Sequence, residues 1–256
     1  MNLTLLQTDI LSGNIPANLH AASTLIASAQ SSDLYVLPEM FATGFIEKPL
    51  PADADTGILV TQWMVDTAMS LHAHLAGSVL VSQGGRFFNR FTVAHPDGSL
   101  TVSDKRHLFS MGGEAQSYNA GAQRVVVNIE GVRFLILVCY DLRFPVWSRA
   151  QGADYDAIIY VANWPASRML QWDTLLRARA IENQAYVVGV NRIGHAGHIP
   201  YSGHSAVYDP WGADFARCPD NEVAALTVDV SAERAAEVRR KFPALADADE
   251  FSLAEK

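Results

Sequence analysis

Cysteine is scarce in this chain: Cys139 and Cys218 are the two present in 256 residues. That is too few for a disulfide framework, and a reducing compartment would keep both as thiols. Basic residues are also in deficit, with 19 Lys and Arg against 27 Asp and Glu for a formal net charge of −8. The basic clusters, such as Arg239-Arg240-Lys241, are short, so neither nucleic acid nor an anionic membrane is an expected partner. No stretch approaches the roughly 18 apolar residues that a membrane span needs. The opening MNLTLLQTDI has no basic region ahead of an apolar segment, so no export signal is expected and the cytoplasm is the expected compartment. Linkers, low-complexity tracts and repeats are missing too, which points to one domain over residues 1–243. The remaining 244–256 form an acidic, small-residue-rich tail able to wrap a neighbour or fray.

What is present is an apolar fraction of 49%, enough for a sizeable core. Short apolar runs alternate with helical spacing along the chain, the pattern of an α/β protein with buried strands. Strands are expected at 3–8, 34–37, 76–81, 88–94, 101–105, 124–129, 132–138, 157–161, 185–190, 205–208 and 223–228, and helices over 16–31, 57–74, 167–184 and 232–241. Pro96-Asp97-Gly98, Glu130-Gly131 and Asp209-Pro210-Trp211-Gly212 carry turn chemistry between strand-like runs. Antiparallel hairpins are therefore mixed into the alternation, and the sheets should be mixed.

Three strand ends carry reactive side chains. The run FLILVCYDLRFP delivers Cys139 to the end of a buried strand, LYVLPEM ends in Glu39, and VSDKRHLF ends in Lys105. Strand ends are where α/β sheets place ligands. Singly, each residue has an ordinary reading: a packed thiol, a solvated acid, a solvated base. A thiol with a pKa near roughly 8.5 is mostly protonated at neutral pH, so catalysis by Cys139 requires a base and a group that stabilises an oxyanion. Cys218, beside Pro219-Asp220-Asn221, is expected in a turn, where exchange for serine would be silent. His195-Ala196-Gly197-His198 and His72-Ala73-His74 lack a third ligand at a recognised spacing, so no metal is expected. Cys139 has no resolving cysteine nearby, which disfavours a redox thiol.

Taken together, Pro38-Glu39 with Phe41-Ala42-Thr43-Gly44-Phe45, Asp104-Lys105-Arg106-His107-Leu108-Phe109 and Cys139-Tyr140-Asp141-Leu142-Arg143-Phe144-Pro145 resemble the three signatures of the nitrilase, or carbon–nitrogen hydrolase, superfamily. Asn163-Trp164-Pro165, the run 176–183 and Ser202-Gly203-His204-Ser205 extend the likeness over about residues 2–243. The resemblance implies a four-layer αββα sandwich of two mixed sheets, without a cofactor. It implies Glu39 as general base, Cys139 as nucleophile, and Lys105 with the backbone N–H of Tyr140 as the oxyanion site. Glu114 matches a second glutamate that holds the lysine and the substrate. Asp141 and Arg143 are expected to support the turn after the nucleophile. Glu39 and Lys105 should pull the Cys139 pKa in opposite directions.

Tyr140-Asp141 stands where nitrilases proper tend to have Trp-Glu, as in the Nit and omega-amidase branch. That branch implies a small-molecule substrate, the terminal amide of 2-oxoglutaramate or 2-oxosuccinamate. Its far carboxylate needs a cation: Arg168 is the candidate, although a cap or an ion pair is an equal reading, with Phe41, Tyr140, Trp164 and Tyr201 as walls. An N-carbamoyl amino acid hydrolase, another aliphatic amidase, a nitrilase and a non-catalytic scaffold stay open. Family habit implies a homodimer through residues 147–151, part of 167–183 and the tail.

Overall fold

A strand that is apolar on both faces must be covered on both, and the VRFLILV segment shows by what. Val132, Phe134, Ile136 and Val138 point into one buried cluster, whereas Leu135 and Leu137 point into another. The computed structural model describes residues 1–253. Its first sheet comprises β1 (Asn2–Gln7), β2 (Leu34–Val36), β3 (His74–Gln83), β4 (Arg86–Ala94) and β5 (Leu100–Asp104). The second is built from β6 (Val126–Ile129), β7 (Val132–Val138), β8 (Ala157–Ala162) and β9 (Tyr186–Asn191). A hairpin of β10 (Ile193–Ala196) and β11 (Ile199–Ser202) follows, then β12 (Ala206–Tyr208) and β13 (Asp214–Arg217) join the second sheet and β14 (Ala224–Asp229) returns to the first. The orders are β14-β1-β2-β3-β4-β5 and β13-β12-β9-β8-β7-β6.

Both sheets are mixed. The centres β1-β2-β3 and β7-β8-β9 are parallel, and the flanking strands are antiparallel. All three turn motifs close antiparallel pairs: β4–β5, β6–β7 and β12–β13. Parallel neighbours need crossovers, supplied by α1 (Ile15–Ser28), α2 (Ala54–Leu71), the short α4 (Pro145–Ser148) between β7 and β8, and α5 (Met169–Asn183). Leu3, Leu5, Val36, Phe91 and Val93 of one sheet meet Phe134, Ile136, Ile159 and Val188 of the other, and this is the sandwich core. Ala22 and Ile26 of α1 with Val60, Met64 and Ala68 of α2 cover the first sheet from outside. Trp172, Leu176 and Ala180 of α5 cover the second. The result is the four-layer αββα sandwich. Gly189 of β9 lies under Leu176 and Trp172 with no room for a Cβ, which lets α5 sit close.

Three expectations change. The β10–β11 hairpin has no apolar run to announce it; Gly194 enters it at φ +84 with the Asp9 carboxylate where a Cβ would stand. Cys218 does not stand in a turn: its side chain is buried in the inter-sheet core and its N–H donates to the Ser205 carbonyl at 2.9 Å. The tail comes back onto its own chain, with Leu245 packed on the α5-side core and Phe251 and Ser252 beside Pro145 and Val146. Among the described residues, no helix is long and apolar enough to cross a membrane.

Candidate active site

Reactive side chains gather where strands of both sheets end. After β2, Pro38 cannot continue the ladder, and Met40, at φ +45, turns the chain so that Glu39 faces inward. The Met40 N–H is held by the buried Ser78 hydroxyl at 2.9 Å. After β7, Cys139 also takes a left-handed φ of +45 and opens a 3-10 turn, Cys139–Arg143. A non-glycine residue in that region is strained and persists only when its surroundings enforce it. Asp141 provides the enforcement: it accepts from the Val138 N–H at 3.0 Å and from the N–H and Nδ1 of His107 at 2.9 and 2.8 Å. One carboxylate thus ties the cysteine turn to the loop that carries Lys105.

Lys105 follows β5, and its N–H donates to the Asn89 carbonyl at 2.9 Å. Its Nζ lies 3.0 Å from Glu39 Oε1 and 3.0 and 2.9 Å from the two Glu114 oxygens. Glu114 opens the short helix α3 (Glu114–Ser117) and also accepts the Phe109 N–H at 2.6 Å. Glu39 takes further donors from Asn89 Nδ2 at 2.7 Å and from the Asn163 N–H at 2.7 Å on its second oxygen. All three charged side chains are buried.

Cys139 is half-buried at the floor of the same pocket. Burial, and after it the Glu39 charge, push its thiol well above the ordinary range; Lys105 pulls the other way without reversing the shift. Burial also opposes the Lys105 ammonium, but Glu39 and then Glu114 outweigh it and hold the lysine well above its usual value. Both burial and the neighbouring carboxylate thus favour the thiol over the thiolate.

The pocket encloses about 380 Å³. Glu39, Lys105, Glu114 and Cys139 form its floor, and Tyr140, Trp164, Arg168 and Tyr201 line it. Phe41 does not. The Met40 turn sends its ring outward under α2, where it packs on Trp63 with centroids 5.7 Å apart; Phe45 and Phe109 stand in the lining instead. Arg143, expected as a support, lines the pocket with its guanidinium 4.9 Å from the Trp164 ring. Arg168 stacks over Phe109 at 5.2 Å. Tyr201 is backed by the buried Arg192, 4.6 Å from its ring centre, and burial raises its phenol pKa. Glu47 reaches the lining from the exposed rim. The residue that sequence reasoning missed outright is Asn89. Its signal was there, a polar side chain in the inward period of Phe91 and Val93.

The carbon-nitrogen hydrolase family matches residues 2–240. Omega-amidase YafV of Yersinia enterocolitica is 45% identical, with 99% of this chain and 98% of that protein aligned. The 2-oxoglutaramate amidase of Bacillus subtilis is 32% identical over 96% of each chain. A CN-hydrolase superfamily protein of Xanthomonas campestris, solved with an arsenic adduct in its active site, is 38% identical and superposes over 99% of both chains with a TM-score of 0.91. Matched in sequence over nearly its whole length, and built as a sandwich with a thiol, an acid and a lysine at its strand ends and a second acid on a short helix beside them, the chain belongs to the carbon–nitrogen hydrolase family and is a C–N hydrolase.

Proposed function

We propose that the protein hydrolyses the terminal amide of short 2-oxo dicarboxylic acid monoamides, 2-oxoglutaramate and 2-oxosuccinamate, releasing ammonia through a cysteine thioester. Glu39 takes the proton from Cys139 as Sγ adds to the amide carbonyl carbon. The tetrahedral oxyanion is met by Lys105 Nζ and the Tyr140 N–H, which the start of a 3-10 turn leaves without an internal acceptor. The C–N bond breaks as protonated Glu39 returns its proton to nitrogen. Water then attacks the thioester carbonyl, Glu39 takes its proton, and the C–S bond breaks to give a carboxylate and the regenerated thiol. Glu114 stays on Lys105 throughout and fixes where the ammonium points.

One observation carries the choice of substrate. Arg143 and Arg168 line the pocket that holds Cys139, each is stacked on an aromatic ring, and neither has a carboxylate partner among the described residues. Two guanidiniums poised above an amide-cleaving floor suit a substrate with an amide at one end and a carboxylate at the other. The names of the relatives from Yersinia enterocolitica and Bacillus subtilis agree with this reading. Ammonia release compared across 2-oxoglutaramate, glutamine, a simple aliphatic amide, an N-carbamoyl amino acid and a nitrile is the test. The highest kcat/KM is expected for 2-oxoglutaramate; a clear preference for the carbamoyl compound or the nitrile overturns the assignment.

A further inference from the structure

Asn89 meets both acids of the pocket floor through its side chain and Lys105 through its backbone. Its backbone carbonyl accepts the Lys105 backbone N–H at 2.9 Å. Its Nδ2 donates to Glu39 Oε1 at 2.7 Å and lies 3.4 Å from Glu114 Oε1. The side chain is fully buried, and its Oδ1 has no partner among the described residues. The alternative amide orientation would set that oxygen against Glu39 Oε1, so the two acids dictate which end faces them. A buried amide oxygen left without a donor is destabilising. The neighbours that share its inward period, Phe91 and Val93, are apolar core residues, so packing alone does not account for an amide here.

We propose that Asn89 is a positioning residue for the hydrolytic reaction, holding the Glu39 carboxylate in the pose from which it takes the Cys139 proton and tying Glu114 to the same frame. This rests on the reading of Glu39 as the base. Glu39 Oε1 receives two donors, Lys105 Nζ and Asn89 Nδ2. Lys105 is itself shared with Glu114, whereas the Asn89 amide is carried on a strand paired on both edges. A hydrogen bond to the charged form of an acid favours that form, so its removal makes the carboxyl group hold its proton to higher pH. The substrate's far end would be bound elsewhere in the pocket, so its affinity should be little affected.

The experiment measures ammonia release from 2-oxoglutaramate against pH for the parent, Asn89→Ala and Asn89→Ser. Cys139 alkylation by iodoacetamide is followed over the same range, because it needs no substrate. For both variants we expect kcat to fall by roughly tenfold or more, KM to change by less than about threefold, and the acid limb of kcat/KM and of alkylation to move up by about one pH unit. Acid limbs that coincide with the parent's in both assays overturn the proposal, even where activity is lower, because a purely structural defect removes active protein without moving a pH limb. If alanine prevents folding, the smaller polar serine variant and the alkylation profile decide the matter. Glu39→Gln serves as the control. Full turnover in it would refute the base assignment itself, whereas an inactive Glu39→Gln beside unmoved limbs in the Asn89 variants would refute the role of Asn89 alone.

Discussion

Replacing Lys105 by methionine keeps most of the side-chain volume and removes the ammonium from between Glu39 and Glu114. All three groups are buried, with Lys105 3% and Glu39 2% exposed and Glu114 fully covered. Removing one partner of a buried ion pair costs about 3–5 kcal/mol, because the charge left behind has lost its water as well as its counter-ion. For a domain of this size each kcal/mol is worth roughly 2–4 °C in Tm, so a fall of about 10 °C is expected. The pH dependence has a definite sign. Glu39 and then Glu114 hold the Lys105 ammonium well above its usual value against the cost of burial. The folded protein thus keeps this proton to higher pH than the unfolded chain, so the contribution is complete below about pH 10 and is lost as pH rises further, and the gap to the parent should stay wide from about pH 6 to about pH 9 and narrow above it. Adding Glu114→Gln removes one of the two negative charges and should recover a substantial part of the loss. Thermal melts by circular dichroism of the parent, the single and the double variant at three pH values measure all of this. A Lys105→Met melt within about 2 °C of the parent near pH 8 would refute the electrostatic account of the floor.

Arg168→Met and Arg143→Met should each raise KM for 2-oxoglutaramate by roughly tenfold to a hundredfold, the worth of a charge-assisted hydrogen bond, with little effect on a simple aliphatic amide. Unchanged KM in either variant removes that arginine from substrate recognition. Cys218→Ser places a hydroxyl in the inter-sheet core, where burial already pushes the thiol pKa up to about 12. A loss of about 1–3 kcal/mol in urea unfolding is expected, and parental stability would show that the side chain is not buried. His74 Nδ1 lies 2.9 Å from His95 Nδ1; burial first, and His95 second, depress its pKa below 6.5. The unfolded chain therefore binds more protons there, so the His74 contribution is complete above about pH 6.5 and is lost as pH falls through and below that value. Urea titrations between about pH 7.5 and about pH 5 should give a steeper decline in the parent than in His74→Phe; equal slopes would rule the histidine out as a source.

The parts of the fold legible in the sequence are those where burial on both faces leaves a continuous apolar run, as in β7, β8 and β9. The β10–β11 hairpin was illegible because burial does not specify it. It is anchored by Arg192, which donates to the carbonyls of Ile10 and His195 at 2.6 and 3.1 Å. Glu39, Lys105 and Cys139 were legible as the ends of three strand motifs and Glu114 only through the family likeness; the structure sets all four around one pocket. From the sequence Phe41 is expected as a wall of the substrate cleft, but Met40 takes a left-handed φ that nothing in a methionine announces, and the turn sends the Phe41 ring under α2. Arg143 is expected to support the turn after Cys139; the turn takes a 3-10 form that carries the guanidinium into the pocket lining and onto Trp164 instead.

The two sheets divide the chemistry between them. Glu39, Lys105, Glu114 and Asn89 belong to the first sheet and the loops that leave it; Cys139, Tyr140, Arg143, Asn163 and Arg168 belong to the second and its loops. The floor forms where bonds cross the interface: Asn163 donates its N–H to Glu39 Oε2 at 2.7 Å and its side-chain amide to the Glu39 carbonyl at 3.0 Å, while Asp141 holds His107 beside the lysine loop. None of these contacts is local, since Glu39 and Asn163 are 124 residues apart. Each sheet alone would carry half of the cluster, acids and an ammonium without a thiol or a thiol without them. The apolar layer between the sheets therefore stabilises the fold and also sets how far Glu39 stands from Cys139, so the cluster sits at the edge of that layer.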